Sequence, residues 1–144
     1  MSLLVLHMNK FKKDAVRGIQ SHNQREGVSH SNPDIDYTRS ALNYDLHEGA
    51  SENYAQAILS RIDDLLMVKA VRKDAVHMCG LVVSSAREFF NKLNADETKR
   101  FLRRQPRTSR SLSQGNVISA RVHMDEKTPH MHFLHVPITN VLML

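Results

Sequence analysis

His123-Met-Asp-Glu-Lys-Thr-Pro-His-Met-His132 places three histidines and two carboxylates within ten residues. The flanking segments Val117–His123 and His130–Ile138 both read as strands, and Met124–Pro129 between them is a short polar loop. The stretch therefore closes a β-hairpin. Side chains alternate along a strand, so His130 and His132 project from one face. The hairpin brings His123 opposite them, and directly opposed residues lie roughly 4.5–5.5 Å apart. Imidazole is the commonest side-chain metal ligand. Three neutral imidazoles leave coordination positions open to water or a substrate oxygen, as a catalytic metal requires. His135 falls on the other face, and His7, His30, His47 and His77 have no such company.

Composition narrows the classes. A chain of 144 residues is one small domain or a piece of a larger one. No apolar run approaches a membrane span, and the apolar start is too short for a signal peptide. A single cysteine, Cys79, excludes an internal disulfide framework and suits a reducing, cytoplasmic setting. A net charge of +5 favours a polyanionic partner, with nucleic acid as the default.

Working outward from the hairpin, strands and helices alternate, which predicts an α+β fold. Ser2–Met8 reads as a buried strand and Phe11–Glu26 as a helix stopped by Gly27. Val28–Ser40, with Asn32-Pro33-Asp34, reads as a surface loop, and Leu42–Leu46 is ambiguous. Asn53–Val68 predicts an amphipathic helix with Tyr54, Ala57, Ile58, Ile62, Leu65 and Leu66 on its apolar stripe. Ala75–Val83 reads as a strand, and Ala86–Leu102 as a helix broken around Asn94. Residues 103–115 are basic, serine-rich and without periodicity, and predict an irregular loop.

Two further motifs carry chemistry. In His22-Asn-Gln-Arg-Glu26, His22, Arg25 and Glu26 share a helix face. His22 could serve as nucleophile or base, with Arg25 binding phosphate in a bidentate manner; a solvated helix end with an ordinary ion pair is the plainer alternative. In Arg39-Ser-Ala-Leu-Asn-Tyr-Asp-Leu46, Tyr44 could accept a phosphoryl group and Asn43 could donate to a DNA backbone. A buried tyrosine with a satisfied hydroxyl is equally economical.

Taken together and in this order, His22-x-x-Arg25, Asn43-Tyr44-Asp45-Leu46 and His123-x-Asp-Glu-x-x-Pro-His-x-His132 resemble the plasmid mobilisation/recombination (Mob/Pre) relaxases. These belong to the histidine–hydrophobe–histidine (HUH) endonucleases, and His130-Met131-His132 is that triplet here. Ser31-Asn32 and Arg72-Lys73-Asp74-Ala75-Val76 add to the likeness, which runs to about Leu102 and resumes from Asn116 to Pro137. The resemblance implies an antiparallel sheet flanked by helices, with the metal site at its centre. It implies metal-dependent, strand-specific DNA nicking and rejoining at a plasmid origin of transfer, bound as single-stranded or hairpin DNA. His123, His130 and His132 would hold Mn²⁺ or Mg²⁺. In related relaxases a tyrosine attacks, which nominates Tyr44; in this branch the pattern favours histidine, which nominates His22. By the same analogy Glu126 is the base and Arg25 orients the phosphate; Asp125 is a turn residue or one that holds a ligand imidazole. Residues 103–115 depart from the family pattern. The stop at Leu144 suggests the N-terminal part of a relaxase catalytic domain, incomplete at its C-terminus and lacking the dimerisation region. The competing expectations are a noncatalytic, metal-stabilised DNA-binding remnant and, less favoured by the charge, a metal-dependent hydrolase of small phosphoesters.

Overall fold

Five strands form one antiparallel sheet in a computed structural model of the chain, which describes residues 5–27, 32–65, 71–104 and 114–137. The strands are β1 (Val5–Lys12), β2 (Tyr44–Asp45), β3 (Val76–Ser84), β4 (Val117–His123) and β5 (His130–His135). The helices are α1 (Lys13–Asn23), α2 (Tyr54–Asp64), α3 (Arg87–Asn91) and α4 (Ala95–Arg104). Strand order is β1-β3-β5-β4-β2, so the hairpin supplies the central strand and one neighbour. The α+β reading and the flanked antiparallel sheet are both borne out.

Register determines which side chains share a face. Ser84, His130 and His123 lie in one row across β3, β5 and β4; Val82, His132, Arg121 and Asp45 lie in the next same-face row. The alternate row, Val83–Met131–Val122–Tyr44, points to the opposite face. There Val83, Met131, Val122 and Phe133 pack with Phe90 of α3 and Leu102 of α4. On the histidine face, Met78, Ile118 and Leu134 pack with Val16 of α1 and with Tyr54 and Ile58 of α2. Both faces of the sheet are thus covered, and a histidine cluster on the central strand is enclosed by α1.

Element boundaries moved where pairing outlasts the expected turn. β1 continues through Phe11, because Lys10 and Phe11 pair with Cys79 and Met78; α1 therefore starts at Lys13 and not at Phe11. Part of the predicted 28–40 loop is a 3-10 helix, Tyr37–Leu42, capped by the Asp36 carboxylate on the Thr38 amide. The ambiguous Leu42–Leu46 contains β2. The break at Asn94 is a capping box: the Asn94 side chain accepts from the Glu97 amide, and the Glu97 carboxylate accepts from the Asn94 amide. Residues 66–68 of the second predicted helix, most of the 103–115 loop and Ile138 lie outside the described residues.

Candidate metal centre and nucleophile

His123, His130 and His132 each offer a ring nitrogen, and these nitrogens lie within 4.8 Å of one another. Hydrogen bonds settle which nitrogens are free. His123 Nε2 lies 2.9 Å from the carbonyl oxygen of Asn23, the last residue of α1, so it must donate. That leaves Nδ1 as the lone-pair side of His123. His130 Nδ1 likewise donates to the Thr128 carbonyl at 2.9 Å, which leaves Nε2. The two lone-pair nitrogens face each other at 3.3 Å. Glu126 Oε2 lies 3.2 Å from His130 Nε2 and 3.9 Å from His123 Nδ1. Acceptors converging in this way need a positive centre between them, either a proton or a metal ion that displaces it. His132 Nε2 adds a buried nitrogen with no hydrogen-bond partner among the described residues. The donor set therefore fits a metal ion.

Electrostatics keep His123 and His132 neutral. Burial, above all, pushes His132 down to about 2, helped by the neighbouring His123 and His130 rings. Burial also takes His123 down to about 3, against the opposing pull of its bond to the Asn23 carbonyl. With a proton between His130 Nε2 and its carboxylate, Glu126 is held at about 2, first by that His130 hydrogen bond and then, against burial, by Arg25 and Asn32. A carboxylate so firmly ionised is a weak proton store.

His22, on the last turn of α1, sets its ring 6.0 Å from that of His123 and 6.2 Å from that of His132, centroid to centroid. Burial and then the Arg25 charge lower its pKa, so the ring is unprotonated near neutral pH. The structure thus brings His22 to the histidine triad. Tyr44 stands elsewhere: its row lies on the opposite face, its ring packs against the other core, and Lys99 sits 5.2 Å above that ring. The sheet itself separates Tyr44 from the triad, which corrects the reading of Tyr44 as a nucleophile.

Arg25 and Asn43 are also placed differently from expectation. After α1 ends at Asn23, Arg25 adopts φ 54, a left-handed backbone that turns its side chain back to the hairpin. Its Nε and Nη2 donate to the two Asp125 oxygens at 2.8 and 2.9 Å, and Nη2 also donates to Glu126 at 2.8 Å. Nη1 donates to the His22 carbonyl at 3.0 Å. The guanidinium fork is occupied by carboxylates, so no bidentate edge remains for phosphate. Glu26, expected beside Arg25, pairs instead with Arg17 and Gln20. Asn43 donates to Asp125 at 3.0 Å and accepts from the Met124 amide at 2.7 Å, which pins the hairpin turn and leaves a DNA backbone little to bind. Asp125, fully buried, also accepts from Ser40 at 2.7 Å. Burial works to raise its pKa, but the hydrogen bonds of Arg25, Ser40 and Asn43 prevail and hold it well below the usual carboxylate range.

Sequence reasoning missed Arg121. It stands across from His132 on β4, and its Nε is buried without a hydrogen-bond partner among the described residues. Asp45, its neighbour on β2, spends its carboxylate on Ser119 and on the Ala120 and His47 amides. Only the strand register marks this arginine, since nothing adjacent in sequence resembles a motif.

The model of the plasmid recombination enzyme family matches residues 1–142. The chain belongs to this family. A plasmid recombination enzyme of Lactiplantibacillus plantarum is 42% identical over 139 residues, covering 95% of this chain and 38% of the relative. A type 2 plasmid recombination enzyme of Staphylococcus aureus is 39% identical over 140 residues, covering 96% and 33%. The chain therefore spans between about a third and two-fifths of the length of these relatives. Among solved structures, the Mn-bound MobM relaxase domain in complex with plasmid pMV158 oriT DNA superposes with a TM-score of 0.88 at 34% identity, covering 95% of this chain and 71% of that one. Among the described residues of this family member, no helix is long and apolar enough to cross a membrane.

Proposed function

We propose that this chain carries the chemistry of a DNA relaxase: metal-dependent, site- and strand-specific nicking of an origin of transfer, followed by rejoining. The observation that carries this reading is the convergence of three imidazole nitrogens beside a fourth imidazole, His22, that no ligand role requires. His123 through Nδ1, His130 through Nε2 and His132 would hold a divalent metal. Imidazole donors suit Mn²⁺ better than Mg²⁺, and the MobM relaxase domain bound to 22-nucleotide oriT DNA is Mn-bound. When bound, the ion polarises the scissile phosphate and offsets charge on the leaving 3′-oxygen.

The protein's own residues do the rest. A ring nitrogen of His22 attacks phosphorus, the P–N bond forms as the bond to the 3′-oxygen breaks, and the 5′-phosphate stays on the histidine. His22 sheds its ring proton as that bond forms. Glu126, the carboxylate whose charge acts most on His22, passes that proton to solvent. Arg25 fixes Glu126 and the backbone at His22 in one geometry. Arg121, on the triad face with an unpartnered Nε, takes the phosphate-contacting role first read for Arg25. Rejoining is the reverse attack by a 3′-hydroxyl.

An adduct assay tests this. The chain with Mn²⁺ is incubated with single-stranded oligonucleotides tiling the DNA upstream of its own coding sequence, and protein joined to a 5′-phosphate is mapped by peptide mass spectrometry. The expected adduct is on His22, absent in His22→Ala and undiminished in Tyr44→Phe. An adduct on Tyr44 overturns the nucleophile assignment. DNA binding by a metal-loaded chain that never forms an adduct favours the noncatalytic remnant.

A further inference from the structure

Next to the triad, between α1 and the β1–β3–β5 part of the sheet, lies a cavity of about 170 Å³. Phe11, Ile19, Val82 and Leu134 line it together with His22 and His132. It is apolar, yet it opens on the two imidazoles that the proposed chemistry uses. Cavities of about 150 Å³ with aliphatic and aromatic walls accept a single aromatic ring.

Two features show that the space is built. Gly80 lines it, paired with Asn9 on one side and Leu134 on the other. A Cβ at position 80 would stand 3.0 Å from Phe11 Cε2 and 3.1 Å from Leu134 Cδ2, so any side chain there crowds the slot. The second feature is Asn23, which is wholly buried and also lines the cavity. Its Nδ2 makes a long 3.4 Å contact with the Tyr54 hydroxyl, and its Oδ1 has no partner among the described residues. An unsatisfied buried carbonyl is costly unless a donor arrives from outside. A flat ring with N–H groups on its edge meets both demands, and a nucleobase is such a ring.

We propose that this slot receives the unpaired base of a nucleotide adjoining the scissile phosphate, with an N–H of the base directed to Asn23 Oδ1. The inference rests on the relaxase reading and assigns the place where strand sequence is inspected at the cut. Enzymes that act on one nucleotide commonly seat an extruded base in a closed pocket. Here Gly80 is the specificity-determining position, because a side chain there would push the Phe11 and Leu134 walls out of place and into the slot.

The test combines an abasic scan with slot-filling variants, using the full chain, Mn²⁺ and a cleavable origin strand. At one position adjoining the nick, removing the base is expected to slow cleavage about 5- to 150-fold, the range for one base–aromatic contact. Gly80→Val is expected to impose a similar loss on intact DNA and little further loss on the abasic strand. Asn9→Phe, which fills the slot from the exposed edge strand, should do the same and keeps the test valid if Gly80→Val does not fold. Retained Mn²⁺-dependent stabilisation verifies that the triad is intact. If the wild-type chain cuts but the scan is flat, or the losses multiply as independent effects, the slot holds no base and the relaxase reading survives. If the wild-type chain neither binds nor cuts any origin strand, the relaxase reading fails and this proposal falls with it.

Discussion

Asp125 illustrates how much one side chain can hold. It is fully buried, shares both oxygens with Arg25, and ties Ser40 and Asn43 to the hairpin turn. Replacing it with alanine removes the bidentate partner of a guanidinium whose side chain is only 5% exposed and leaves Glu126 as its one carboxylate among the described residues. Breaking a buried pair on one side typically costs about 3–5 kcal/mol, so Asp125→Ala should lose about that much in urea unfolding, and a loss under about 1 kcal/mol would rule out the hub role. The histidines set a second expectation. His123 and His132 titrate at about 3 and about 2 when folded, against 6.5 unfolded. Between those values the unfolded chain binds more protons, so stability must fall as pH falls below 6.5. The depressed carboxylates Asp125 and Glu126 contribute with the same sign, but only below about 4.5. Thermal melts of metal-free protein should therefore decline between pH 7 and pH 5, by up to about 2 kcal/mol for each neutral buried ring. A flat profile over that window would contradict the proposed neutral state.

At the scale of elements, the capping box at Asn94 starts α4, which carries Leu102 into the core opposite the triad. Asn94→Ala should cost about 1 kcal/mol, read as a lower urea midpoint with an unchanged slope; no change would mean that packing alone sets the helix start. This break was legible in the sequence because Asn94 and Glu97 stand three apart ahead of an apolar pattern. The hairpin was legible for a similar reason, since alternation and a polar turn are local signals. The β1–α1 boundary was not: Phe11 has helical spacing to Ala15 and Ile19, yet its partner is Met78, far along the chain. The site divides in the same way. The triad was readable from residue type and spacing, and His22 only through its company with the other two motifs. The enclosure of Arg25, the opposite facing of Tyr44 and the exposure of Arg121 to the triad depend on register and on one left-handed residue, which spacing does not encode.

For the whole molecule, the sheet is the partition that organises function. One face is sealed by α3 and α4, and the other gathers the histidines, His22, Arg121 and the ring-sized cavity under α1. The two halves of that working face, helix and strand, are joined directly by the hydrogen bond from His123 Nε2 to the Asn23 carbonyl. That bond belongs to a would-be metal ligand at one end and to the residue after His22 at the other. On the proposed chemistry, ion capture and the posture of His22 would then be one equilibrium and not two. Loading with Mn²⁺ should slow amide hydrogen exchange in the last turn of α1 as much as in the hairpin, and His132→Ala should abolish both effects together. Protection confined to the hairpin would mean that the ring waits for DNA to place it; protection at both ends would mean that the nucleophile is armed before any strand arrives.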